Sequence, residues 1–209
     1  MTKLGLVSNY TKSSYKLRST TCNEQKTANL LNRQFDRQTT LDVIVSDLTY
    51  VRVRGRWCYV CLVIDLWNRE IIGWSAGQRK DSQLVREALY SIPYRLDMVN
   101  FFHTDRGREF DNKLIDDVLE GFRIKRSLSH KGCPYDNSVN EATNHILKTE
   151  FIRQHVFSSL DELRVLLFDY IYWYNHYRLH GSLNYQTPME LRIKSSRQLM
   201  YQSALKKVC

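Results

Sequence analysis

The chain has 209 residues, 43% hydrophobic and 12% aromatic, which suits one packed core and excludes a disordered polar chain. A formal net charge of +9 favours an anionic partner such as nucleic acid. Five cysteines, at 22, 58, 61, 133 and 209, are odd in number and scattered, which argues against a disulfide framework. No run reaches the length of a membrane span and no signal peptide is visible, so a reducing, intracellular setting is expected.

The charge is uneven along the chain. Residues 1–40 carry seven Lys or Arg against two acids, and residues 192–209 carry five against none, which leaves the middle at about −1. Residues 1–40 are polar and read as a basic linker or arm, with room for a short helix near Glu24 to Leu31.

Strand signals then become dense. VIVSDLTYVRV (43–53) alternates and is rich in β-branched residues; Gly55 marks a turn; WCYVCLVIDLW (57–67) is a nearly continuous apolar run. Asn68 and Arg69 mark a second turn before EIIGWSAG (70–77), so three strands form an antiparallel meander. Cys58 and Cys61 lie three apart in a strand, hence on opposite faces, and read as core thiols rather than metal ligands. Trp57, Trp67 and Trp74 read as core or interface residues.

The period then changes. DSQLVREALYSI (81–92) has helical spacing, with Asp81 as N-cap and Pro93 as stop. MVNFFHTD (98–105) reads as a strand, REFDNKLIDDVLEG (108–121) as a helix ended by Gly121, and FRIKRSL (122–128) as a strand. Pro134 to Phe151 and residues 158–177 read as helices, the latter capped near Ser159 or Asp161. The order predicts an α/β domain with a mixed sheet and flanking helices.

Three carboxylates stand out. Asp47 sits inside an apolar strand, where an unpaired acid is costly. Asp105 ends the fourth strand, where α/β sites collect. Glu141 shares a helix face with His145 and Lys148. Separately, each is equally well an edge acid, a turn-forming acid or a solvated helix residue. Together they suit a Mg²⁺ cluster, and two such ions about 3.5–4 Å apart can drive phosphoryl transfer.

The blocks around these residues resemble a known family. SDLTYV with WCYVCLVIDLWNREIIGW, FHTDRGREF, SLSHKGCPYDNSVNEATNHILKTE and YNHYRLHGSLNYQTPMEL resemble, in order and spacing, four blocks of the IS3-group insertion-sequence transposases (OrfB), relatives of retroviral integrases. The resemblance covers roughly residues 41 to 191. It implies an RNase H-like, integrase catalytic core-like fold with a five-stranded mixed sheet, and a DDE catalytic triad at Asp47, Asp105 and Glu141. The 35 residues between Asp105 and Glu141 match the family's spacing. It further implies two Mg²⁺ or Mn²⁺ ions on those carboxylates, 3′-end cleavage and strand transfer of insertion-sequence ends, and double-stranded DNA as partner, both transposon ends and target. A homo-oligomer when active, no membrane, and a bacterial cytoplasmic, nucleoid-associated location also follow. The alternative is a truncated, catalytically silent DNA-binding remnant of such a transposase.

On this reading residues 1–40 are a linker left from an N-terminal DNA-binding region, 41–155 the catalytic core, and 156–209 a helical extension with a basic tail. His103 is expected behind the site, beside Asp105, and Asp136 or Asn137 to cap the Glu141 helix, with Gly132 in a loop near DNA. Lys131, His145, Lys148, Arg178 and His180 are candidates for DNA contact, the last two also for packing. The family pattern has aromatic residues where this chain has Thr143 and Asn144, and a smaller or apolar one at Asn140, which predicts weaker packing of that helix.

Overall fold

The β-branched run Val43–Val53 forms strand β1, and its register with Arg56–Asp65 (β2) places Val53 opposite Arg56. Only Arg54 and Gly55 remain to turn the chain, at φ +47° and +78°. Positive φ at both central residues is the hairpin turn whose twist matches the strands. β3 (Ile71–Gly77) continues the meander antiparallel to β2. Two short parallel strands, β4 (Phe101–Thr104) and β5 (Lys125–Leu128), complete a five-stranded mixed sheet of order β3-β2-β1-β4-β5. The computed structural model describes residues 39–129 and 138–205. The helix expected near Glu24 to Leu31, and the start of the one expected from Pro134, lie outside them.

Period-two alternation sends the strand residues to two separate cores. On one face Val45, Val51, Val60, Leu62 and Ile64 pack with helices α3 (Ser138–Glu150) and α4 (Leu160–His176). On the other, Ile44, Cys61 and Val63 pack with α1 (Ser82–Tyr90) and α2 (Lys113–Gly121). Cys58 belongs to the first core and Cys61 to the second, so the sheet itself separates the two thiols. The expected caps form: Asp81 accepts from the Leu84 amide at 3.1 Å, and Ser159 from the Glu162 amide at 3.0 Å.

The structure differs from the sequence reading at several points; β4, for one, begins at Phe101 instead of Met98. α2 begins at Lys113 instead of residue 108, because the Phe110 and Asp111 amides first turn back to the Gly107 carbonyl. β5 begins at Lys125, since Arg123 at φ +60° breaks the extended run. Within the expected helical extension and basic tail, Pro188–Leu205 form a further helix, α5. Trp67 and Trp74 are half-buried, but Trp57 is 53% exposed and does not join the core.

Candidate metal centre

β1 pairs with β4 only through Val43–Val45, so the strand beyond Ser46 leaves its β4 side open. α3 packs beside this stretch and holds it by two amides. Asn140 Nδ2 donates to the Ser46 carbonyl at 3.1 Å, and Asn144 Nδ2 donates to Asp47 Oδ2 at 2.8 Å. The other Asp47 oxygen accepts from the Leu48 amide at 2.9 Å. Asn140, Thr143 and Asn144 are all buried. Of the three residues that depart from the family pattern, Asn140 and Asn144 therefore tie the helix to the strand through hydrogen bonds instead of apolar packing.

Asp105 follows directly on β4, and its Oδ1 accepts from the Gly107 amide at 2.9 Å. A Cβ at Gly107 would fall 2.4 Å from Glu109 Oε1, so glycine leaves room for that buried carboxylate, which pairs with Lys80 at 2.9 Å. Burial pushes the Asp47 carboxyl up to about 6, and the nearby Asp105 charge adds to the rise; the hydrogen bonds from Leu48 and Asn144 and the charge of Lys148 oppose it. Glu141, in the first turn of α3, is raised by partial burial. It shares with Asp47 an open cavity of about 570 Å³, whose rim carries Asn144, His145, Lys148 and Arg153.

The structure thus brings Asp47 into the field of Asp105 on one side and onto a common cavity with Glu141 on the other. Among the described residues, no three His, Cys, Asp or Glu side chains converge closely enough to hold one ion as they stand. The donor set nevertheless fits a hard divalent cation. All the donors are carboxylate oxygens, and the raised Asp47 carboxyl marks a place where added positive charge is stabilising.

His103 is fully buried, with Nδ1 2.9 Å from Ser127 Oγ, and braces β4 against β5 behind Asp105. His145 and Lys148 reach the cavity rim; Lys148 Nζ also lies 4.6 Å over the Tyr50 ring. Arg178 grips both oxygens of Glu150 at 2.8 Å, and its guanidinium lies over Tyr174. His180 is buried edge-on to Tyr174, and burial, reinforced by Arg178, lowers its pKa to about 4. A neutral imidazole offers a phosphate no cation, and Arg178 is already paired with Glu150, so both side chains pack inward here. Lys131, Gly132, Asp136 and Asn137 lie outside the described residues.

Sequence reading took Asn144 only as a departure that weakens packing, and passed over Arg153 and the Lys80–Glu109 pair. Of these only Asn144 left a usable signal: three residues beyond Glu141, it shares the helix face that meets β1. Replacing it by alanine removes one of the two donors to Asp47. The expected result is a loss of about 10- to 100-fold in metal affinity, the size found for supports of metal ligands, read by titrating Mn²⁺ against the protein. Unchanged affinity would show that Asn144 only packs.

The sequence matches two families described as integrase core domains, over residues 38–134 and 141–195. Transposase InsF for insertion sequence IS3A from Escherichia coli K12 is 34% identical over 170 residues, covering 80% of this chain and 59% of InsF. The transposase for insertion sequence element IS904 from Lactococcus lactis is 30% identical over 165 residues, covering 78% of this chain and 65% of that protein. The chain thus spans about 59–65% of the length of these relatives. In fold it resembles the HTLV-2 integrase catalytic core domain in complex with magnesium, with TM-score 0.58 and 15% identity over 73% of this chain and 97% of that one. A chain of the simian T-cell lymphotropic virus intasome in complex with PP2A regulatory subunit B56 gamma gives TM-score 0.59 and 14% identity, over 78% and 55%. The fold is RNase H-like, as retroviral integrase cores are. With integrase core matches on both sides of the Glu141 helix start, the chain belongs to the integrase core domain family, and over most of its length it is similar in sequence to transposases of insertion sequences.

Proposed function

We propose that the chain is a DDE-type polynucleotidyl transferase, which frees a 3′-hydroxyl at insertion-sequence ends and joins it to target DNA. The observation that carries this reading is the placement of Asp47. Its carboxyl is raised by burial and further by the neighbouring Asp105, and it opens onto the cavity that Glu141 lines. Asp47, Asp105 and Glu141 would hold Mg²⁺ or Mn²⁺, with two ions expected. When bound, these ions would polarise the scissile phosphate and favour ionisation of the attacking hydroxyl.

The rest is positioning by the chain itself. Asn144 and the Leu48 amide fix the Asp47 carboxylate, and the Gly107 amide fixes Asp105. Glu141, exposed and on a rotatable side chain, closes the set by turning toward Asp47. Lys148, His145 and Arg153 on the rim would meet DNA phosphates. The substrates are double-stranded transposon ends and target DNA. Because two DNA ends must be brought together, the active form is a homo-oligomer. We place the protein in the bacterial cytoplasm, with its DNA. Among the described residues no helix is long and apolar enough to cross a membrane.

The test is joining of a 3′-hydroxyl oligonucleotide carrying the element's own terminal sequence to a plasmid, with Mg²⁺ and with EDTA. Metal-dependent joined product is expected; DNA binding with neither nicking nor joining would sink the reading.

Metal binding should also show in stability. Asp47 is raised from 3.8 to about 6 in the folded protein, so below pH 6 it holds a proton that competes with the cation. The rise in melting temperature on adding Mg²⁺ should be full near pH 7.5 and fade as pH falls through 6. In EDTA the sign reverses. Between pH 3.8 and 6 the folded state keeps a proton that the unfolded state has lost, so this residue's contribution to stability falls as pH rises. Asp47→Asn should flatten both trends, as read by thermal melts across pH.

A further inference from the structure

The turn end of the β1–β2 hairpin carries large exposed rings and a run of arginines. Trp57 and Tyr50 are 53% and 56% exposed and meet edge to face at 5.2 Å. The Arg52 guanidinium lies 5.6 Å over the Trp57 ring, and Arg54 and Arg56 are exposed on either side of Gly55. Arginine is an expensive choice at residue 54. Its left-handed backbone disfavours any side chain with a Cβ by about 1–2 kcal/mol, and Asn is the usual occupant there. The hairpin end is also anchored, since the Arg54 amide donates to the Phe157 carbonyl at 3.1 Å and Val53 bridges Phe157.

Between this end and the start of α4 lies an open cavity of about 530 Å³. Val53 and Trp57 supply its apolar wall, Arg54 and Arg56 its positive charge, and Gln78 and Ser158 its hydrogen-bonding groups. The acids nearest in the chain are engaged: Glu162 accepts from the Ser158 amide and hydroxyl, and Asp161 pairs with Arg164 at 3.2 Å. Glu162 keeps its charge, but Arg52, Arg54 and Arg56 outnumber it, so the hairpin end is net positive. Lys148, which lines the carboxylate cavity, reaches over Tyr50, so cations and rings run without a break from the carboxylates to the hairpin end. Val53 lies six residues beyond Asp47 on β1, or roughly 20 Å at the usual rise of a strand.

We propose that the hairpin end is a second nucleic-acid contact that takes an unpaired nucleotide of the substrate DNA, its base against Trp57 and its phosphate between Arg54 and Arg56. This rests on the reading that the carboxylate site acts on DNA. A polyanion matches the net positive charge of Arg52, Arg54 and Arg56, and an exposed indole beside a cavity offers a base a stacking surface. Duplex DNA keeps its base faces covered, so the nucleotide recognised is one freed from pairing.

The experiment is fluorescence anisotropy of the whole chain, in EDTA, with a labelled single-stranded oligonucleotide and its blunt duplex. Trp57→Ala should weaken single-strand binding about 5- to 150-fold, the range for loss of one stacked base, and leave duplex binding nearly unchanged. Trp57→Phe should stay near wild type. Arg56→Ala should weaken both and reduce the dependence of log affinity on log salt by about 0.7 for the single strand. Wild-type binding by Trp57→Ala and Arg56→Ala would overturn the proposal, and so would an equal loss for single strand and duplex in Trp57→Ala. The two readings separate because no metal is present, so the binding assay does not depend on joining. If Asp105→Asn still joins DNA, the catalytic reading falls and the hairpin contact stands.

Discussion

Asp105→Asn is expected to abolish end joining while leaving DNA binding and the fold in place. The asparagine Oδ1 can still accept the Gly107 amide that Asp105 accepts at 2.9 Å, so the turn after β4 survives. What is lost is a negative charge beside Asp47. A divalent cation at a phosphoryl centre is worth several kcal/mol of transition-state stabilisation, so the joining rate should fall about a thousandfold or more. Asp47→Asn should cost at least as much but is the less clean variant. Asp47 accepts through both oxygens, from Leu48 and from Asn144, and an amide there would set one NH₂ against another until Asn144 flips. Residual joining above about one tenth of wild type in Asp105→Asn would show that this carboxylate does not take part.

The largest stability effect is expected far from this site, at Arg192 on α5. Its guanidinium pairs with Asp65 at 2.8 Å and with Glu70, donates to Thr40 Oγ1 at 2.6 Å, and lies 4.3 Å over Tyr94. Tyr94 in turn donates to Glu70 at 2.6 Å, and Asn68 Nδ2 reaches the Pro188 carbonyl at 3.0 Å. Asp65 is 0% exposed. Burial raises its carboxyl above the ordinary value even with Arg192 pulling it down. Arg192→Met leaves two buried carboxylates facing each other and should cost about 3–5 kcal/mol. For a domain of this size that is a fall in melting temperature of roughly 6–20 °C. The sign with pH follows from Asp65. Without the arginine its carboxyl rises further, so the deficit is largest at neutral pH and shrinks in acid, where Asp65 is protonated. Adding Asp65→Asn to Arg192→Met should recover part of the loss. A deficit below 1 kcal/mol at pH 7.5 would mean that α5 is held by its other contacts.

Much of the fold was legible because its signals are local. The period-two run 43–53, the Gly55 turn and the apolar run that follows specify a hairpin whatever lies around them, and Asp81 and Ser159 cap helices through amides three residues away. α5 was missed for the opposite reason. Its helix shows almost no apolar periodicity, and what holds it is a charge network between residues up to 152 positions apart. Trp57 shows the same limit. Nothing in WCYVCLVIDLW separates the first residue from the buried ones after it, and only the sheet's end, where the next strand stops at Gly77 opposite Tyr59, leaves Trp57 in solvent.

The site divides along the same line. The chain by itself singled out Asp47, Asp105 and Glu141 as candidates, because their types, their spacing and the blocks around them depend on the order of residues alone. Folding decided what those residues can do. Packing α3 against the open side of β1 set Asn144 on Asp47, and ending β4 at Thr104 brought the Asp105 charge to bear on it. The same packing drew Arg178 and His180 inward, onto Glu150 and Tyr174. Burial and the field of neighbouring charges are properties of the assembled fold. They decide whether a carboxylate is a solvated surface acid or one raised toward neutrality and poised for a cation.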